Sequence, residues 1–185
     1  MALPSTDEEL LVRTRDGDIR AFDLLYARYE TRLFSYLRAL LADRRDAEEV
    51  FHDAFMKSLD ADPSMFANAG FRPWLYKVAR NMALNRMRSA QRLDKNTEGA
   101  ALTQAAEKTQ EDLEEVLAAA QVGRALDSAL ERLPPALLEV YHLRASGLSN
   151  EQIAELVEVP LGTVKSRCFR MITVLRKEMR PWIAS

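Results

Sequence analysis

The chain has 185 residues, 48% of them hydrophobic, and its 26 Lys and Arg against 28 Asp and Glu leave a formal net charge of -2. That supplies cores for one or two domains, while no stretch suits a membrane span. The acidic, proline-containing start Met1 to Glu9 lacks the basic-then-apolar order of a secretory signal, so a cytoplasmic protein is expected. A lone Cys168 excludes an internal disulfide, and its helical spacing puts it on an apolar stripe.

In chain order the pattern is helical throughout. Thr6 and Glu9 form a capping box for a short first helix that ends near Asp16-Gly17. Asp18 caps the next, in which Phe22, Leu25, Tyr26, Tyr29, Leu33, Tyr36, Leu37 and Leu40 keep one apolar face through about Leu41. Asp43 caps a third with Ala47, Val50, Phe51, Ala54, Phe55 and Leu59 inward; Glu48, Glu49, His52, Asp53 and Lys57 are left facing water or a partner. Residues 60–70 read as a loop.

A basic helix follows from Phe71 to about Gln91. Phe71, Trp74, Leu75, Val78, Met82 and Met87 make its inner face, and Lys77, Arg80, Asn81, Asn85 and Arg88 recur on the other at steps of three and four. Asparagine is a mediocre helix former, so two of them one turn apart on an exposed face point to a role other than helix stability. Amides can donate to and accept from base edges, and cations neutralise phosphates. The strip is therefore suited to hold and read a nucleic acid strand.

Residues 92–110 are polar and alanine-rich, a linker by composition, and a helix can start within 111–120. Helices over 122–133 and 134–146 precede the second basic segment. There Ser149 caps a short helix carrying Ile153, Ala154, Leu156 and Val157, which Pro160 stops. Thr163 is placed to cap a new helix whose Val164, Cys168, Met171, Ile172 and Leu175 form a buried stripe. Its other face shows Lys165, Ser166, Phe169, Arg170 and Thr173. Two short helices joined by a tight turn, with cations and hydroxyls near the start of the second, are what a helix-turn-helix needs to enter a major groove.

Charge is segregated along the chain. Residues 72–95 carry seven cations against Asp94, and residues 163–180 carry six against Glu178. Residues 96–121 carry Glu98, Glu107, Glu111, Asp112, Glu114 and Glu115 against Lys108. Such a chain should bind duplex weakly alone and need another surface to present its basic faces. Glycine-rich phosphate loops, nucleophile-base sets and zinc spacing are missing from the sequence, so a binding protein is expected, with no catalytic residue, metal, cofactor or small-molecule substrate. His52 beside Glu48 and Glu49 lacks the further ligands a metal site needs, and His142 reads as a packed or surface histidine.

The run from Asp46 to Phe55, the Phe71-Arg72-Pro73-Trp74-Leu75-Tyr76 run continuing to Arg80-Asn81, the Leu133-Pro134-Pro135 entry and the Gly162-Thr163-Val164-Lys165-Ser166-Arg167 helix start together resemble the extracytoplasmic-function group of bacterial sigma factors. The likeness covers nearly the whole chain. It implies an all-α protein of two small helical domains joined by an acidic linker: residues 1–92 docking on core RNA polymerase and engaging the promoter -10 element, a linker at 93–120, and a helix-turn-helix domain at 121–185 for the -35 element. By the same resemblance Lys77, Arg80, Asn81, Asn85 and Arg88 meet the -10 strand, and the 60–73 loop supplies a pocket for a base turned out of the stack. Thr163, Lys165, Ser166, Arg167, Phe169 and Arg170 meet the -35 duplex, with Arg167 on phosphate. Glu48, Glu49, His52 and Asp53 dock on the polymerase. Core RNA polymerase and promoter DNA are the implied partners, an anti-sigma factor is a further one left open, and no membrane insertion is implied. One departure concerns Glu158, where the family commonly has glycine; a left-handed residue there would cost glutamate on the order of 1 kcal/mol. The rival reading is a dimeric helix-turn-helix regulator, which would share residues 148–170 but have no need of the asparagine strip or the acidic helix.

Overall fold

A computed structural model describes residues 5–93 and 113–183. Their regular structure is helical: α1 (Asp7–Arg15), α2 (Ile19–Leu40), α3 (Arg44–Asp60), a 3-10 turn at Pro63–Met65, α4 (Phe71–Leu93), α5 (Leu113–Glu131), α6 (Pro135–Ala145), α7 (Asn150–Val157) and α8 (Leu161–Ile183). The expected acidic linker falls largely outside the described residues. Its last part, 113–120, already belongs to α5.

Local chemistry sets the helix starts. Thr6 and Glu9 close the capping box of α1, and Asp18 and Asp43 accept from the first amides of α2 and α3. α4 has no cap from its own segment; the Phe71 N–H donates instead to Glu8 Oε1 at 3.0 Å, so a carboxylate from α1 sits at the positive end of the helix. Arg15 at the end of α1 donates in turn to Ser58 O and Leu59 O, the unpaired carbonyls at the end of α3. The first four helices are thus tied end to end as well as packed side by side.

The 22-residue α2 is the axis of the molecule, burying Ala21, Leu25, Tyr29, Leu33, Tyr36 and Leu37. α1, α3 and α4 pack on it, with Phe22, Tyr26, Phe51 and Phe55 meeting edge to face at 5.2 to 5.7 Å. In the C-terminal half, α6 and α8 pack together, with α5 and α7 against α8. The two halves are not separate cores. α6 lies on α2 and α7 on α4, and one apolar cluster runs from Leu10 to Met171.

Candidate nucleic-acid interface

α4 turns its polar strip outward over most of its length. Lys77, Asn81, Asn85 and Arg88 are exposed, while Phe71, Leu75, Tyr76, Ala79 and Ala83 are buried. Arg88 Nη1 donates to Asn85 Oδ1 at 3.3 Å, which leaves the amide N–H groups of Asn85 to face outward. Arg80 is different. Its Nε donates to Glu139 Oε1 of α6 at 2.9 Å, and the two side chains are only 15% and 14% exposed. Burial opposes the Arg80 charge, but the bond and field of Glu139, with Tyr36 and Glu158 adding, outweigh it and raise its pKa. Tyr36, also bonded to Glu139 (3.1 Å), has its pKa raised chiefly by burial, then by the Glu139 charge.

The 60–70 loop packs its one aromatic inward: the Phe66 ring lies 5.6 Å from both Phe71 and Trp74 of α4. Beside it Met65, Ala69, Pro73, Trp74 and Lys77 line a cleft of about 100 Å³, whose opposite wall is Gln152, Glu155 and Leu156 of α7. Gln152 Nε2 donates to Ala69 O (3.4 Å) and Lys77 Nζ lies 3.7 Å from Glu155 Oε1. The region expected to receive a flipped base is therefore walled on one side by the C-terminal domain.

The helix-turn-helix is α7 and α8. Ser149 and Gln152 form a reciprocal capping box, and α7 ends at Glu158, whose φ of 58° and ψ of 46° are left-handed. Two expectations need correction. α8 begins at Leu161 directly after Pro160, so Thr163 lies inside the first turn, its N–H donating to Pro160 O at 2.8 Å, and it does not cap the helix. Proline lacks an N–H, which costs nothing at a helix entrance, so the helix starts three residues early. Ile172 is 45% exposed and not part of the buried stripe. At 100° per residue it sits roughly 80° around the helix from Val164, at the stripe's edge, whereas Met171 and Leu175 lie within about 20°.

Lys165, Ser166, Phe169 and Arg170 all face solvent, and Phe169 is 73% exposed. Thr163 and Arg167 are half-buried at the sides, and Cys168 is half-buried with Sγ 3.6 Å from Asn150 Oδ1.

On α3 the acidic row is exposed but partly engaged. Arg44 Nε donates to Glu48 Oε1 at 2.7 Å, and Arg86 of α4 bridges Asp46 (2.7 Å) and Glu49 (2.6 Å). His52 and Asp53 make no side-chain bond among the described residues. In the sequence Arg86 is one basic charge of α4 among several; its spacing from the strip is the signal that it points the other way.

Comparison with known proteins bears on these surfaces together. The Sigma-70 region 2 profile matches residues 25–93 and the Sigma-70 region 4 profile matches 123–171, so each basic face lies within or beside one of the two regions. The chain is 30% identical to the RNA polymerase sigma-H factor of Pseudomonas aeruginosa over 98% of its length and 97% of that protein's. It belongs to the extracytoplasmic-function sigma factors. The ECF RNA polymerase sigma-E factor of Escherichia coli K12 is likewise 30% identical, over 96% of both chains. In fold this sigma factor is similar to RpoE of Bartonella quintana, solved with the anti-sigma factor NepR (TM-score 0.66, 22% identity, 86% of this chain and 96% of that one). It is also similar to CnrH, solved with the cytosolic domain of CnrY (TM-score 0.57, 23% identity, 96% and 99%). Sigma factors are regulatory subunits of RNA polymerase, and this one directs promoter-specific transcription through core polymerase and promoter DNA; the dimeric-regulator reading is not favoured. Among the described residues no helix is long and apolar enough to cross a membrane.

Proposed function

We propose that this sigma factor reads promoters with two faces and performs no chemistry of its own. Asn81, Asn85, Lys77, Arg80 and Arg88 of α4 contact the melted -10 strand, amides on base edges and cations on phosphate. Lys165, Ser166, Phe169 and Arg170 of α8 enter the -35 major groove, with Thr163 and Arg167 at its rim against phosphate. Glu48, Glu49, His52 and Asp53 dock on the polymerase, where complementary charge speeds and orients association. The domains divide at about 92 and 121, the protein acts in the cytoplasm, and an anti-sigma protein is a natural partner, since RpoE of Bartonella quintana, which it resembles in fold, was solved with one.

The observation that carries this reading is the pairing of Asn81 and Asn85, exposed one turn apart and flanked by Lys77 and Arg88 on one face. Replacing both asparagines by alanine tests it. Permanganate reactivity of melted promoter thymines should fall while core binding and helix content hold. Wild-type reactivity in the double variant would remove the amides from promoter reading.

A further inference from the structure

From Leu161 to Lys177, α8 carries Lys165, Arg167, Arg170, Arg176 and Lys177 and no acidic residue. Its outer face changes character along the axis. Near the start it presents Lys165 and Ser166, which can both donate. One turn further on the face becomes apolar: Phe169 and Ile172 are exposed, although the sequence periodicity places Ile172 inside. Thr173 is exposed beside them, and its Oγ1 donates to Phe169 O at 2.9 Å. The hydroxyl hydrogen of Thr173 is thus spent on the helix, so toward a ligand it offers a methyl and an acceptor but no donor. At 100° per residue Ile172, Lys165, Arg176, Phe169 and Thr173 fall within a sector of about 100°, so cations and apolar groups share one face.

A lone exposed apolar side chain is ordinary. Three adjacent ones set among five cations restrict what can cover them. A second copy of the chain would bring like charges face to face, whereas a DNA groove brings phosphates to the cations. Within the major groove the base edges are otherwise polar, and the C5 methyl of thymine is the apolar group they project. We propose that Phe169, Ile172 and Thr173 form a methyl-reading patch that selects thymine, and so A·T pairs, at the steps of the -35 element beyond those reached by Lys165 and Ser166. The inference rests on the reading of α8 as the -35 helix.

Ser166 and Ile172 are separated by about 9 Å of helix rise, two to three base-pair steps. The two parts of the face then read adjacent steps by different chemistry. Lys165 and Arg170 can donate to guanine O6 and N7. The patch has no donor, so a guanine set against it would lose water from both acceptors and gain nothing in return. An A·T pair fits: its methyl packs on Phe169 and Ile172, and the Thr173 oxygen can accept from adenine N6.

Deoxyuridine in place of thymidine tests the patch, because it removes the C5 methyl and keeps every hydrogen-bonding group. The affinity of holoenzyme, assembled from core polymerase and the full chain, is measured on a promoter that it selects, with each -35 thymine of either strand replaced in turn. The substitution should weaken wild-type binding by about fourfold for each buried methyl. The Ile172→Ala/Thr173→Ser variant keeps the hydroxyl that bonds Phe169 O; it should bind the unmodified promoter more weakly and no longer respond to uracil. Wild-type binding that is indifferent to uracil at every -35 thymine overturns the patch, as does a selected promoter with no thymine there. A variant that responds to uracil as strongly as wild type overturns it too, and so does self-association of the free chain that the variant abolishes. Lys165→Ala holoenzyme tests the underlying reading separately. Weaker, less salt-dependent binding supports α8 as the -35 helix whatever uracil does, and unchanged binding removes that reading and the patch with it.

Discussion

Tyr76 of α4 donates its hydroxyl hydrogen to Ser146 Oγ at 2.8 Å, a buried bond that joins the two halves of the molecule. Ser146 Oγ passes the chain on to His142 O at 2.7 Å. Tyr76→Phe deletes one bond and leaves Ser146 its other partner, so the expected loss is about 1 kcal/mol. Equilibrium denaturation of the full chain measures it; unchanged stability would mean that the halves do not rest on each other in solution.

Glu158→Gly should stabilise the chain by about 1 kcal/mol, because the left-handed turn no longer carries a Cβ. Melting curves of the full chain measure the gain, and a drop would show that Glu158 makes a contact worth more than the strain it carries.

A signal is legible in the sequence to the extent that it is local. The capping residues Thr6, Asp18, Asp43 and Ser149 act within a single turn, so their spacing alone marks the helix starts at which they sit. The helix-turn-helix is legible for the same reason, apart from Thr163 and Ile172, where the one-residue details of the helix entry and stripe edge decide. The seam is not. Tyr36 and Glu139 look like ordinary members of amphipathic helices, and only contact across 103 residues makes them partners. Arg80 sits in step with the DNA-facing cations and by spacing alone cannot be told from them.

His142 lines the cleft between α2 and the C-terminal half with Arg32, Asp127 and Tyr141, and burial pushes its pKa down to about 4. The unfolded chain, with His142 near its ordinary 6.5, binds more protons between those two values. Stability from this residue is therefore full above pH 6.5 and lost as pH falls toward 4, by at most about 3 kcal/mol. His142→Gln should flatten the fall in melting temperature over that window. A fall identical to wild type would assign it to other groups.

The acidic face of α3 is expected to set association with core. Lysine at Glu48, Glu49 and Asp53 should slow binding by about tenfold at low salt, with less effect at high salt. Arg86 keeps Asp46 as a partner in that variant, so helix content should hold. Fluorescence competition for core polymerase reads the effect, and unchanged association would remove this face from docking.

Promoter choice by core polymerase should depend on this chain and, within it, on the asparagine pair of α4. Run-off transcription on a genomic fragment library reads that choice, with core polymerase alone, with the protein and with its Asn81→Ala/Asn85→Ala variant. A discrete set of start sites should appear only with the wild-type protein and collapse with the variant, even though the variant still binds core. Start sites that are the same with and without the protein would refute its role as the subunit that selects promoters.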